Sequence, residues 1–467
     1  MSINQNKGIM KIKKKWLVFS LLLAAAAILG AFMPSWEIGG TDPGLSAADM
    51  AWMLSATTLV LFMTPGVSFF YGGMVRTKNV VSTMLQAFIA MGVISIVWVV
   101  IGFSLAFGDS IGGEGTGIIG NPFTYFMFKG VGGEPNPAFS ATIPLALFAL
   151  FQLKFAIITP ALITGSFAER VKFSAYLLFM ALWTVFIYAP LAHWTWHPNG
   201  FLRQLGVLDF AGGTVVHMSA GFAALAGAIF LGQRKEHKTS FRPTNIPFVM
   251  LGTAMLWFGW FGFNAGSSLA ANTLAVQAFL NTNTAAAAAM LAWMFFDTLR
   301  GRKASALGAC IGAVVGLVAI TPAAGFVSVG ASIFIGMFSA TISNIAVHWK
   351  NNTSLDDALD VMPTHGVGGI LGMILTGVFA KDVGLVFGHT QTFLYHLLAI
   401  VIVGVFAFGG SYILYKVTSW FIPVRVSQQS EAIGLDLSQH DELYVLNVQE
   451  KELEEYSGSE TAETATT

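Results

Sequence analysis

Apolar residues gather along the chain into long runs of about 20, the length at which a helix crosses a bilayer. They occupy 49–72, 80–107, 141–165, 173–194, 210–232, 246–263, 272–298, 304–322, 327–348, 364–380 and 393–416. Each predicts one membrane-spanning helix, eleven in all. Ahead of them, Lys11, Lys13, Lys14 and Lys15 precede an apolar stretch from Trp16 to Met33. Residues 1–33 therefore read as a cleaved secretory signal, with a retained extra helix as the alternative. Either reading leaves residues 34–48 outside. The membrane domain is expected over 34–417 and a cytoplasmic tail over 418–467. From about Ser427 the tail is polar and acidic, with Glu450, Glu452, Glu454 and Glu455, and its end is expected to be disordered.

Charge fixes the orientation of this all-α membrane protein. Only 10% of the residues are charged, against roughly a quarter in a soluble domain, which excludes a water-soluble fold. Arg76, Lys78, Arg170, Lys172, Arg234, Lys235, Lys238, Arg242, Arg300, Arg302, Lys303, Lys350, Lys416 and Arg425 all fall in alternate connections. The remaining connections hold Lys129, Arg203 and Lys381. By the positive-inside rule the first group faces the cytoplasm, so the first span starts outside and the C-terminus lies inside. The formal net charge is zero, which leaves no bulk field to recruit nucleic acid. Fifty glycines predict close helix packing, because small residues let helix backbones approach in lipid. The single cysteine, Cys310, excludes a disulfide framework and reads as packing.

Ionisable residues inside membrane helices are costly and therefore informative. Asp209 and His217 share an apolar, glycine-rich stretch, and Asp360 and His365 repeat the theme downstream. At 1.5 Å per residue, His217 lies roughly 12 Å below Asp209 and is approached from outside. His365 follows the connection around Lys350 and is approached from inside. Opposed approach to one midplane site is what an inverted repeat predicts. Asp209, at the start of its helix, suits an N-cap or first-turn acid with a structural and electrostatic role, and Asp360 takes the same reading.

Asp209-Phe-Ala-Gly-Gly-Thr-Val-Val-His217, Gly259-Trp-Phe-Gly-Phe-Asn-Ala-Gly-Ser267, Phe70-Tyr-Gly-Gly73, Ala168-Glu-Arg170 and Thr364-His-Gly366 together resemble the ammonium transporter (Amt/Mep/Rh) family, over about residues 49–445. The resemblance implies eleven transmembrane helices, arranged as two inverted five-helix halves plus a final long helix. It also implies a homotrimer with one pore per subunit, ammonium and ammonia as the cargo, and membrane lipid around it. For a bacterial protein of this kind the site is the inner membrane. No cofactor or metal is implied.

Residue by residue, the resemblance makes His217 and His365 the paired pore histidines. Each neutral imidazole has one donor and one acceptor nitrogen, so the two can share a hydrogen bond and offer polar contacts in an apolar bore. Trp196 and Ser267 become the outer recruitment site, with Phe155 completing its wall; an aromatic face attracts a cation and a hydroxyl accepts an N–H bond. Phe155 and Phe263 become a pore gate, an apolar plug that a bare ion crosses at high cost and neutral ammonia at much lower cost. Lys154 departs from the pattern, standing beside Phe155 where the family usually has an uncharged residue. A rotation of about 100° per residue turns it off the Phe155 face. The tail segment Gly434-Leu-Asp-Leu-Ser-Gln-His440-Asp-Glu-Leu-Tyr444 is similar to the family's tail motif, with Asp441 in place of the usual glycine. In bacterial relatives that surface meets a PII-type nitrogen regulator, which is the implied partner.

Two rival functions stand beside transport. One is an ammonium sensor that binds at the outer site, conducts poorly and signals through its tail. The other is a membrane enzyme using histidines as metal ligands, but His217 and His365 lack a local partner of the His-Glu-x-x-His kind. Charge movement with ammonia is left open between neutral conduction and separate proton transfer along the histidines.

Overall fold

The computed structural model describes residues 14–33, 44–112, 117–235 and 242–444. The acidic run from Glu450 to Glu455, along with Lys11 and Lys13, lies outside the described residues. The described chain is almost wholly helical. In chain order the long helices are α1 Lys14–Ala31, α2 Ala47–Met74, α3 Thr77–Phe107, α4 Leu145–Ile163, α5 Phe173–Trp196, α6 Gly213–Leu231 and α7 Ile246–Ser268. They continue as α8 Thr273–Leu299 and α9 Ala306–Ile320, then α10 Val329–Asn351, α11 Met362–Phe379 and α12 Gln391–Phe421. Each apolar run expected from the sequence overlaps one of α2 to α12. Among the described residues, ten of these helices are long and apolar enough to cross a membrane. The other two are α8, diluted by Gln277, Asn281 and Asn283, and α9, apolar but 15 residues long.

Local chemistry sets the helix starts. Ser46, Asn245, Asn272, Ser305 and Ser328 each accept a hydrogen bond from the amide three residues on, satisfying one of the donors a helix start leaves open. Packing then depends on glycine. A Cβ on Gly252 of α7 would sit 2.3 Å from the Phe70 nitrogen and 2.6 Å from the Gly66 oxygen of α2. Gly66 and Gly73 of α2 thus serve a close crossing with α7. At the centre, a Cβ on Gly221 of α6 would lie 2.3 Å from the Gly366 Cα of α11. Backbone meets backbone there, which is how two helices distant in sequence bring their histidines together.

The connection between α3 and α4 carries a short hairpin, Pro135–Asn136 against Ser140–Pro144. At the opposite, basic face the helix ends are locked by a buried ion cluster. The Glu169 carboxylate accepts from Arg76 at 2.6 Å and Arg234 at 2.8 Å, and Arg234 also holds Asp356 at 2.8 Å. Arg170, fully buried, donates to the Asp356 carbonyl at 2.5 Å. Burial raises the Glu169 carboxyl, but Arg234 and Arg76 outweigh it and hold the group below its ordinary value. The tail packs on this face. The Asp436 carboxylate accepts from the amides of Val81 and Ser82 at the start of α3, and the Gln439 side chain accepts from the Phe173 amide. Asp441 adopts φ 58°, a left-handed conformation that explains why glycine suits that position and why aspartate is tolerated.

Helix α1 lies on the outside of the bundle. At its basic-face end Lys15 donates to Ser174 at 3.0 Å and the Trp16 ring meets Phe173 at 6.5 Å. At its other end Gly30 approaches Met127 of the outer connection.

Candidate functional site

A vestibule of about 350 Å³ has walls that include Gln152, Phe155, Trp196, Arg203, Asp209 and Ser267. The backbone that ends α5 and begins α6 shapes it. The Trp196 indole N–H donates to the Asp209 carbonyl at 3.2 Å, fixing the ring against the wall. The Ser267 hydroxyl donates to the Phe263 carbonyl at 2.8 Å, so its lone pairs remain to accept from a bound donor. The sequence-predicted recruitment residues Trp196, Ser267 and Phe155 therefore meet at one cavity.

Beneath it, the rings of Phe155 and Phe263 lie 4.2 Å apart between centroids, and both residues are at most 1% exposed. The edge of the Trp196 ring meets Phe155 at 5.8 Å. Below the phenylalanines a narrow, mostly apolar cavity of about 10 Å³ is lined by Leu162, Trp260, Phe263, Val314 and the two histidines. Nδ1 of His217 and Nδ1 of His365 are 3.3 Å apart, and their rings are nearly parallel at 5.4 Å. Vestibule, phenylalanine pair and histidine pair thus succeed one another along one line.

Both histidines sit on π-helical turns, Gly213–Met218 and Met362–Val367, the wider coil that often marks functional positions. Asp209 anchors the first turn. Its carboxylate accepts from the amides of Gly212, Gly213 and Thr214 at 2.6–2.8 Å and from the Thr214 hydroxyl at 2.5 Å.

One placement is corrected. Asp360 does not hold the parallel position in the other half; Asp357 does, accepting from the amides of Val361 and Met362 at 3.1 and 2.7 Å. Asp360 instead adopts φ 58° and pairs with Lys350 at 2.5 Å. Burial raises its carboxyl, and Lys350 acts against that rise.

Lys154 stays off the cavity wall that Gln152 and Phe155 share. It is partly exposed, one turn beyond Leu150, which is 40% exposed, and so it points outward from the bundle. Three polar neighbours of the path went unmarked in the sequence. Gln152 has an unpartnered carbonyl oxygen among the described residues, Arg203 holds the Trp196 carbonyl at 2.8 Å, and Thr321 touches His217. No group of three or more metal-ligating side chains occurs among the described residues.

Comparison with known proteins points the same way. Residues 51–444 match the profile of the Ammonium Transporter Family. An ammonium transporter of Bacillus subtilis is 45% identical over 406 residues, spanning 85% of this chain and 98% of that protein. Saccharomyces cerevisiae Mep2 superposes with a TM-score of 0.78 at 34% identity, covering 85% of this chain and 92% of that one. A structure described as a sensor Amt protein superposes at 0.77 with 28% identity, over 84% and 98%.

Proposed function

The chain belongs to the ammonium transporter family, a multi-pass membrane transporter and not an enzyme, and from that premise we propose how it moves its cargo. Ammonium is captured in the vestibule at Trp196 and Ser267. It gives up a proton near Phe155 and Phe263, ammonia passes His217 and His365, and a proton is regained inside. The observation that carries this reading is the order of the three layers: aromatic and hydroxyl wall, closed phenylalanine pair, joined imidazoles.

The physical argument is one of desolvation. The phenylalanine pair offers an ion no hydrogen bonds, and an unpaired charge in such surroundings is prohibitively costly, whereas neutral ammonia loses far less. Potassium matches ammonium in charge but has no proton to shed, so selectivity follows from the plug.

Eleven spanning helices, α2 to α12, make two inverted halves of five and a final α12, with the start of α2 outside and the tail inside. The matched π-helical turns and the basic face support this topology. The protein is a homotrimer in the bacterial inner membrane, its residues 34–417 forming the membrane domain and 418–467 a regulatory tail. Residues 1–33 are a cleaved signal or, if retained, an extra N-terminal helix of the kind α1 forms against the bundle. The tail surface at 434–444 is the docking place for a PII-type regulator.

A second reading, a sensor that binds and conducts weakly, is favoured by the sensor Amt structure among the neighbours. Both readings are separated by current across a solid-supported membrane bearing proteoliposomes, on addition of ammonium or potassium, with His217→Ala and His365→Ala as comparison. An ammonium current absent with potassium and lost or altered in the variants means selective, histidine-dependent transport with net charge movement. Ammonia entry seen by internal pH without current means neutral conduction. Binding with neither signal sinks transport and leaves the sensor.

A further inference from the structure

A hydroxyl 104 residues away in sequence touches the outer histidine, and its hydrogen-bond accounting decides where the protons of the pair lie. Thr321 ends α9 with three polar neighbours. Its hydroxyl lies 2.8 Å from the Leu317 carbonyl, a bond in which only the hydroxyl can donate. The Trp260 indole N–H, which can only donate, reaches the same oxygen at 2.9 Å. Nε2 of His217 is the third neighbour, at 3.3 Å. A hydroxyl has one hydrogen. Spent on the Leu317 carbonyl over the shorter distance, it leaves Thr321 only lone pairs to offer His217, so Nε2 of His217 must carry the hydrogen.

The rest follows along the pair. With Nε2 protonated, neutral His217 has a bare Nδ1, and the 3.3 Å contact with Nδ1 of His365 is a hydrogen bond only if His365 donates. His365 then has a bare Nε2, to which the structure gives no hydrogen-bond partner among the described residues. We propose that Thr321, held by Trp260 and Leu317, is a positioning residue that sets both tautomers and places the one free acceptor of the pair on Nε2 of His365.

This rests on reading His217 and His365 as the pore pair. Its consequence is directional. Ammonia that has passed His217 meets a bare nitrogen able to accept one of its N–H bonds at the inner histidine. A proton added there forms an N–H bond at Nε2 of His365, while the Nδ1–H bond of His365 breaks and its proton forms the bond at Nδ1 of His217. Hand-over in the opposite, inward sense needs a bare Nε2 on His217, which means breaking the Thr321 bond first. The pair at rest is thus set to receive ammonia and not to pass protons inward.

The test is ¹⁵N magic-angle-spinning NMR of histidine-labelled full-length protein in bilayers, with His217→Gln and His365→Gln used for assignment. The expected spectrum has the protonated nitrogen at Nε2 in His217 and at Nδ1 in His365. Thr321→Ser keeps that signature; Thr321→Val, which removes the acceptor, gives mixed tautomers at both rings. The reverse tautomers in the unmodified protein, or an unchanged spectrum in Thr321→Val, overturn the proposal. The unmodified protein decides the matter even if Thr321→Val does not fold. Ammonium current from the same samples separates the two levels: a conducting protein with reversed tautomers removes the role of Thr321 and leaves the pore reading standing.

Discussion

The carboxylate of Asp357 anchors the π-helical turn that carries His365 from eight residues ahead, as that of Asp209 anchors the turn of His217 from the same spacing. Each acid accepts amides at a helix start, where the backbone leaves donors unsatisfied and the helix dipole favours negative charge. Replacing such a cap costs about 1 kcal/mol, more where burial leaves the amides without water. Asp357→Ala is therefore expected to lower ammonium current along with thermal stability, whereas Asp360→Asn, which suits φ 58° and loses the Lys350 ion pair, lowers stability with less effect on current. Unfolding midpoints in detergent with currents from the same preparations check this. A larger loss of current from Asp360→Asn than from Asp357→Ala would sink the assignment.

Trp196 and Ser267 face the vestibule with complementary means of holding a small cation. A cation over an aromatic face is worth about 0.5–2 kcal/mol, and a hydrogen bond to a charged group about 1.5–3 kcal/mol. Ser267→Ala and Trp196→Leu are each expected to raise the ammonium concentration giving half-maximal current, the serine change by roughly tenfold or more. The maximal current should fall less, because the phenylalanine and histidine layers are untouched. Unchanged half-saturation in both variants would mean that ammonium is captured elsewhere.

What could be read from the sequence divides along local and distant lines. The apolar runs are local patterns and each overlaps a helix, while the helix that carries His217 begins only at Gly213, four residues after Asp209. Asp360 is the acid nearest His365 in sequence, but the eight-residue spacing of the first half, carried forward, lands on Asp357, which caps the turn. Thr321 left no such trace. Its relation to His217 and Trp260 arises only when α6, α7 and α9 pack, and a threonine near a helix end looks like any other. The partners of Arg170 were equally hidden, since Asp356 lies 186 residues away.

Lys154 is the charge that most plainly breaks the expected pattern of α4, and its direction makes a sharp expectation. It points away from the vestibule wall, so its charge is screened from ammonium entry by the helix itself. Lys154→Met is expected to leave half-saturation and maximal current within about twofold of the unmodified protein, a change of less than 0.5 kcal/mol. A large gain in current in Lys154→Met would show that the lysine opposes entry after all.

The Glu169 cluster gives the basic face a dependence on acid with a definite sign. Glu169 is 2% exposed, and Arg76 and Arg234 hold its carboxyl below the ordinary glutamate value of 4.5. A group whose folded-state value is depressed stabilises the fold fully above its unfolded value and loses that contribution as pH falls through the folded value. Removing one partner of a buried pair costs about 3–5 kcal/mol, because the other charge is left uncompensated. Glu169→Gln should therefore melt well below the unmodified protein near neutral pH. The gap should narrow as pH falls from about 5 toward 3, where the native carboxylate begins to take up its proton and the arginines lose their partner in both proteins. Melting curves in detergent across that range check it, and a gap independent of pH would mean that the cluster is held by packing and not by charge.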